Sequence, residues 1–163
     1  MTGRAAETEE LYDLYRELIL DHARSPRHFG RLDNATHTAQ GLNPLCGDKL
    51  KVYFHVDKNR RIEATAFEGS GCAISVASAS LLTDTVIGLS VDEAEAVFRA
   101  VTKRLTQDSS EDKVDIGARK EQIEKLQALD GVREFPSRVK CATLAWHALH
   151  SALNDEAKPA TTE

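Results

Sequence analysis

The sequence predicts an α+β fold of one domain, with a three-stranded antiparallel sheet packed by about five helices. Two observations carry this prediction. Apolar and polar side chains alternate from Lys49 to Val56 and again from Arg61 to Phe67, which is typical of strands with one buried face. Beyond Gly69 the apolar residues follow the helical period instead. Strands grouped before a run of helices indicate an α+β domain rather than alternating βαβ units.

The first half of the chain is predicted to form one helix followed by the sheet. Apolar residues at helical spacing indicate a helix over residues 8–23, and Pro26 ends it. Residues 35–43 are a further strand candidate, and Pro44 separates them from the next strand. A short polar turn joins the last two strands, so the three strands are expected to form an antiparallel meander.

The second half is predicted to be helical. Ser90 and Glu93 form a capping-box pattern at the start of one helix, and Pro136 precedes another. A polar loop is expected at residues 107–113. The four predicted helices cover residues 72–87, 90–106, 118–129 and 139–153.

The composition is that of an ordinary soluble domain. The 163 residues are 29% charged and 41% hydrophobic, with a net charge of −5 that argues against general nucleic-acid binding. No apolar run approaches the ~20 residues of a membrane span, and the first residues are polar and acidic. We therefore expect a cytoplasmic protein without membrane contact. The domain is expected to span residues 11–153, with flexible ends at 1–10 and 154–163.

The three cysteines and one aspartate are the most informative residues of the chain. An odd number of cysteines in a cytoplasmic protein favours a metal site or a reactive thiol over a disulfide framework. Cys46 and Asp48 are two residues apart in one loop. Cys72 and Cys141 both fall in the predicted first turn of a helix, where the dipole stabilises a thiolate. The spacing alone does not distinguish between a zinc site, an iron site and three unrelated buried cysteines that bind no metal.

Three segments carry a family resemblance: residues 41–48 (GLNPLCGD), 67–75 (FEGSGCAIS) and 138–144 (RVKCATL). Together they resemble the IscU/NifU-like iron–sulfur cluster assembly family over residues 11–153. Within that family the chain looks like the SufU branch, because Lys140 stands where scaffold-type members carry a histidine.

One further feature is similar to the SufU branch, and another departs from the scaffold type. The polar stretch at residues 107–129 looks like the insertion that SufU-type members carry before the last helix. Residues 134–140 contain a single proline, so they depart from the chaperone-binding motif of scaffold-type members.

The resemblance implies one zinc ion bound by Cys46, Asp48, Cys72 and Cys141. It implies that Cys46 is the catalytic residue, which accepts sulfur from the persulfide of a SufS-type cysteine desulfurase. Other SUF iron–sulfur assembly components are the implied partners. Arg138 and Lys140 are candidates for steering the persulfide, with an ordinary solvated surface as the alternative.

Three functions remain open at this point. The first is zinc-dependent sulfur transfer, which would make the protein a sulfurtransferase acting with the desulfurase. The second is a scaffold on which a transient [2Fe–2S] cluster, or its iron, is assembled before delivery. The third is a non-catalytic, zinc-stabilised interaction module. Lys140 favours the first over the second, since a cluster would lose an imidazole ligand. His22 and His28 are predicted to be core or capping residues rather than ligands.

Overall fold

The structure, a computed structural model, describes residues 14–107, 120–155 and 160–161. Helix α1 covers residues 14–24. The other elements are, in chain order, β1 His37–Asn43, β2 Asp48–Val56, β3 Ile62–Ser70, α2 Ala73–Val86, α3 Val91–Gln107, α4 Lys120–Lys125, a 3-10 helix Leu126–Glu134, α5 Pro136–Leu153 and β4 Ala160–Thr161. Within these described ranges, the α+β class and the five α-helices agree with the prediction.

Some predicted features lie outside the described residues. These are the N-terminal segment 1–10, the first residues of the helix predicted at 8–23, the loop after Gln107 and the start of the helix predicted at 118–129.

The sheet differs from the prediction in the number and direction of its strands. In the described part of the chain it has four strands in the order β3-β2-β1-β4, so the prediction of three antiparallel strands is wrong. β2 pairs antiparallel with both β1 and β3, as expected for the meander. The added strand β4 runs parallel to β1, with Ala160 opposite Gly41 and Thr161 opposite Leu42.

The physical reason for the fourth strand lies at the edge of the sheet. Without β4, the outer side of β1 would present unpaired backbone N–H and C=O groups, which tend to recruit another strand. Two residues near the end of the chain occupy part of that edge. A strand of two residues shows no alternation, so its sequence gave no signal of pairing. Both residues belong to the segment 154–163.

The core forms where helix α5 packs on β1 and β2 and also contacts α2 and α3. Leu50, Val52 and Phe54 of β2 are at most 1% exposed, on the face that alternation predicted. Trp146 of α5 is fully buried, and its indole N–H donates a 3.1 Å hydrogen bond to Ser78 Oγ on α2. This bond joins α2, whose N-cap is Cys72, to α5, which contains Cys141.

The helix boundaries agree with the prediction in some places and differ in others. The capping box is confirmed, because the Ser90 N–H donates to Glu93 Oε1 (2.9 Å) and the Glu93 N–H donates to Ser90 Oγ (3.1 Å). The helix predicted at 118–129 is instead the short α4 followed by the 3-10 helix. Helix α5 begins at Pro136, not at residue 139, because proline is well suited to the first helical position.

The start of α5 corrects one further prediction. Since the helix begins five residues before Cys141, this cysteine lies in the second turn and not in the first. In the described part of the chain, every helix is too short or too polar to cross a membrane.

Candidate metal centre

Three separate segments meet at one end of the sheet. Cys46 lies in the turn between β1 and β2, and Asp48 is the first residue of β2. Gly47 between them has φ +73°, a conformation that glycine adopts without strain, and it lets the chain reverse within this tight turn. Cys72 is the N-cap of α2, as predicted, and Cys141 lies in α5.

The thiols and the carboxylate come close together. The ligand atoms of Cys46, Asp48 and Cys141 all lie within 4.8 Å of one another. The Sγ atoms of Cys46 and Cys141 are 3.8 Å apart. Two thiolates bound to one tetrahedral zinc at about 2.3 Å are also separated by about 3.8 Å. The spacing therefore fits a metal of this kind without movement of either side chain.

Cys72 lies at the edge of this group. It is not part of the set whose ligand atoms lie within 4.8 Å of one another. Its Sγ is 3.5 Å from Ser75 Oγ, and its thiol is close enough to Cys141 to influence the pKa of that residue. All three cysteines line one open cavity, together with Ala73, Ile74, Ser137 and Arg138.

Asp48 is buried and held by two donors. Its side chain accepts a 2.9 Å hydrogen bond from the Cys72 backbone N–H at Oδ1 and a 2.6 Å bond from the Ser75 hydroxyl at Oδ2. The residue is 2% exposed. Gly71 makes room for this arrangement, because a Cβ there would lie 2.8 Å from Asp48 Oδ1. The carboxylate is therefore oriented before any metal binds.

Cys141 is not in the environment predicted for it, which was the first turn of a helix, where the dipole stabilises a thiolate. Burial raises the pKa of its thiol well above the usual range, and hydrogen bonding to Asp48 and Cys72 raises it further. The expected help from a helix N-terminus is absent in the second turn, because the dipole effect falls off within the first. Burial and a neighbouring carboxylate disfavour ionisation of a thiol, and a cation that offsets the added charge favours it. This donor set therefore suits a divalent metal.

The role of all four residues as metal ligands stays a prediction. The structure brings Cys46, Asp48 and Cys141 into one compact group and places Cys72 beside it.

Asn43 is a site residue that the sequence analysis did not single out. It is 1% exposed, and its side-chain Nδ2 lies 3.8 Å from Cys141 Sγ. Its Oδ1 has no hydrogen-bond partner among the described residues, which is unusual for a buried amide. Asn43 and Ser75 both lie inside the segments that carry the family resemblance, but neither is of a residue type that commonly binds zinc.

The two candidate steering residues differ in position. Arg138 is exposed and lines the cavity with the three cysteines, and its guanidinium lies 4.9 Å from the ring centroid of Phe135. Lys140 is half-buried and is not among the residues that line this cavity in the described part of the chain.

The two histidines of the first segment lie against α2. His22 is buried, with Nδ1 2.7 Å from Ser80 Oγ, and His28 Nδ1 is 3.2 Å from Thr83 Oγ1. Neither belongs to the candidate metal group of the described residues. His22, which lies in α1, is a core residue as predicted. His28 is exposed and contacts α2 from the loop after α1, so it is not a core residue.

Comparison with known proteins identifies the family of this site. The profile of the NifU-like N-terminal domain matches residues 14–142. The chain belongs to the NifU-like N-terminal domain family. The resemblance predicted from the three segments is thereby confirmed, and it places this NifU-like chain among the IscU/SufU iron–sulfur cluster assembly proteins.

Some relatives of this NifU-like domain are named as sulfurtransferases, and others are named as iron–sulfur cluster assembly scaffolds. The chain is 35% identical over 143 residues to the zinc-dependent sulfurtransferase SufU of Bacillus subtilis, covering 88% of this chain and 91% of SufU. It is 37% identical over 148 residues to the iron–sulfur cluster assembly scaffold protein IscU of Streptococcus pyogenes, covering 91% and 87%.

A solved structure shares the fold. The crystal structure of an iron–sulfur cluster assembly scaffold protein for the SUF system from Fervidobacterium islandicum is 31% identical, with a TM-score of 0.70. The match covers 84% of this chain and 94% of that one. The IscU/SufU-like fold predicted from the sequence is therefore confirmed, apart from the number and direction of the strands.

Proposed function

We propose that this protein is a SufU-type, zinc-dependent sulfur acceptor, which takes persulfide sulfur from a SufS-type cysteine desulfurase onto Cys46. The observation that carries the proposal is the compact group of Cys46, Asp48 and Cys141, in which only Cys46 is exposed. One thiol of the group is thus open to a partner while the other two side chains are anchored. The name of the Bacillus subtilis relative, a zinc-dependent sulfurtransferase, supports the same reading.

In this proposal Cys46, Asp48, Cys72 and Cys141 hold one zinc ion. When bound, the metal would keep the cysteines as thiolates, the form that reacts with sulfur. Three thiols and a carboxylate can carry up to four negative charges in a partly buried space, and such charges are costly without a cation. Asp48, fixed by the Cys72 N–H and the Ser75 hydroxyl, contributes its carboxylate with little loss of side-chain freedom.

The sulfur transfer is an exchange at sulfur. The Cys46 thiolate attacks the outer sulfur of the donor persulfide and forms a new S–S bond. The S–S bond of the donor breaks, and the donor cysteine leaves as a thiolate, so the persulfide group passes between chains without net oxidation or reduction. The outcome is a persulfide on this chain and a free thiolate on the desulfurase.

Cys46 is the acceptor because of where it lies. It sits in a turn, next to Leu45, which is 76% exposed. Cys141 is 3% exposed and cannot reach a partner. Cys72 is exposed, but it caps helix α2 and its backbone N–H is bonded to Asp48. A turn residue leaves a metal site with a smaller backbone change than a residue anchored in a helix.

The second candidate function is a scaffold for a [2Fe–2S] cluster, with iron and sulfide as cargo. The name of the Streptococcus pyogenes relative favours it. Lys140 weighs against it, because the family resemblance places a histidine there in scaffold-type members and a protonated lysine offers no lone pair to iron. A non-catalytic zinc-stabilised module is the third reading, and it predicts no sulfur on any cysteine.

Labelled cysteine, the desulfurase and this protein test the proposal directly. After reaction, peptide mapping under non-reducing conditions should find the label as a persulfide on Cys46. Cys46→Ser should accept none, whereas Ser137→Ala, a change in the same cavity, should accept as much as the wild type. A persulfide on Cys72 or Cys141 but not on Cys46 would overturn the assignment.

A metal and acid-labile sulfide assay separates the first two functions. Freshly purified protein should contain about one zinc per chain and no sulfide. Iron with stoichiometric sulfide would support the scaffold instead. Zinc without any stimulation of the desulfurase would support the interaction module.

A further inference from the structure

The hydroxyl of Ser75 stands at the centre of the candidate metal site. Ser75 is fully buried in the first turn of α2. Its Oγ lies 2.6 Å from Asp48 Oδ2, 3.4 Å from the Cys141 carbonyl oxygen and 3.5 Å from Cys72 Sγ. One side chain that is not itself a predicted ligand therefore touches three residues that are.

A serine hydroxyl can donate one hydrogen bond, and the distances indicate that Asp48 accepts it. The 2.6 Å contact with Asp48 is short, as expected for a hydroxyl that donates to a carboxylate. The other carboxylate oxygen accepts the Cys72 N–H at 2.9 Å. With one donor on each oxygen the plane of the carboxylate is fixed, and each oxygen keeps a lone pair for a metal.

We propose that Ser75 is a positioning residue of the metal centre, whose hydroxyl holds the Asp48 carboxylate in the orientation that binds the ion. This inference rests on the proposed zinc site and deepens it, since it names a residue that acts through a ligand. Groups that orient a metal ligand typically matter by 10–100-fold in affinity. Without the hydroxyl, Asp48 Oδ2 would lose its 2.6 Å donor, and the carboxylate could rotate away from the cysteines.

A merely structural role for Ser75 is the competing explanation, and the chain offers a matched control. Ser78 lies one turn further along α2 and is also fully buried. Its hydroxyl donates to the Ala142 carbonyl at 2.5 Å and accepts from the Trp146 indole at 3.1 Å. Neither of these hydrogen bonds involves a predicted ligand side chain, so Ser78→Ala removes a buried hydroxyl from the same helix without removing a hydrogen bond to a predicted ligand side chain.

The test measures metal affinity and metal geometry in addition to stability. Zinc affinity is determined by competition with a chromophoric chelator, and the ligand-field absorption of the cobalt(II) form reports the geometry. Ser75→Ala should bind zinc 10–100-fold more weakly than the wild type and show a shifted cobalt spectrum. Ser78→Ala should stay within threefold of the wild type with an unchanged spectrum. Ser75→Thr, which keeps the hydroxyl, should restore both properties.

Each outcome bears on the proposal. Wild-type affinity and an unchanged cobalt spectrum in Ser75→Ala would overturn the role of Ser75 and leave the zinc site standing. If a folded Ser75→Thr lost as much zinc affinity as Ser75→Ala, the shape of the side chain rather than its hydroxyl would determine the affinity, and the proposed role would be overturned. A wild-type protein that binds neither zinc nor cobalt would overturn the proposed centre, and this role with it. Thermal unfolding of the metal-free variants verifies that each one folds.

Discussion

The Sγ atoms of Cys46 and Cys141 lie 3.8 Å apart, although 95 residues separate them in the chain. One belongs to the turn between β1 and β2 and the other to α5, which packs on those two strands. An ion bound by both sulfurs would therefore tie the turn to the helix. Metal binding at this pair is expected to be coupled to the stability of the whole domain.

Removal of the metal is expected to lower the melting temperature. A ligand that binds only the folded state adds about 4 kcal/mol at a thousandfold excess over its Kd. The wild type should therefore melt at a lower temperature in the presence of a strong chelator. Cys141→Ser, which lacks the predicted buried ligand, should melt at the same temperature with and without chelator. Calorimetry measures the melting temperature of both proteins with and without chelator. An equal shift of the melting temperature in the two proteins would contradict the prediction.

Gly71→Ala should weaken the metal site without unfolding the domain. The added Cβ would lie 2.8 Å from Asp48 Oδ1, so the carboxylate would have to move. We expect zinc affinity to fall by roughly tenfold or more, as for other losses of ligand orientation. Gly131→Ala is the control, because a Cβ there meets no atom within 4 Å. Competition titration of both variants makes the comparison, and equal affinities would rule out the effect.

Arg138 is expected to assist sulfur transfer more than Lys140. Arg138 lines the cavity with the three cysteines, where its charge attracts an anionic persulfide. Arg138→Ala should slow persulfide transfer by about tenfold at low salt, and the difference from the wild type should shrink as ionic strength rises. Lys140→Ala should transfer at nearly the wild-type rate. Stopped-flow or quenched-flow transfer rates measure this, and equal slowing in both variants would refute the distinction.

His22 gives the stability a dependence on pH. Burial lowers the pKa of this histidine, and the nearby Arg27 guanidinium lowers it further, against smaller opposing effects of Asp21 and Asp84. Its folded pKa therefore lies below the unfolded value of about 6.5, and the fold favours the neutral ring. The stability that this preference contributes is complete above about pH 6.5 and is lost as the pH falls through the folded pKa.

His22→Asn tests this dependence, since asparagine can still hydrogen-bond to Ser80 but does not titrate. Urea unfolding of the metal-free proteins measures the stability advantage of the wild type over the variant. That advantage should shrink between about pH 7.5 and about pH 5. An advantage that stays constant or grows on acidification would mean that His22 is not held neutral.

Local patterns were enough to predict most of the elements. The alternation around Leu50, Val52 and Phe54 identified the buried face of β2, and the reciprocal bonds of Ser90 and Glu93 form as the capping box predicts. These features involve residues that are close in the chain, so short windows of sequence contain the information. The motif segments around the three cysteines likewise sufficed to predict the family.

The sequence by itself therefore determined the class of fold and the family, and it predicted the side chains that would hold a metal. Only the tertiary structure decided that β4 joins the edge of β1, that Cys141 packs within 3.8 Å of Cys46, and that Ser75 and Asn43 contact the predicted ligands. Each of these contacts joins residues far apart in the chain. Their formation depends on how α2 and α5 pack against the sheet, which no local periodicity encodes.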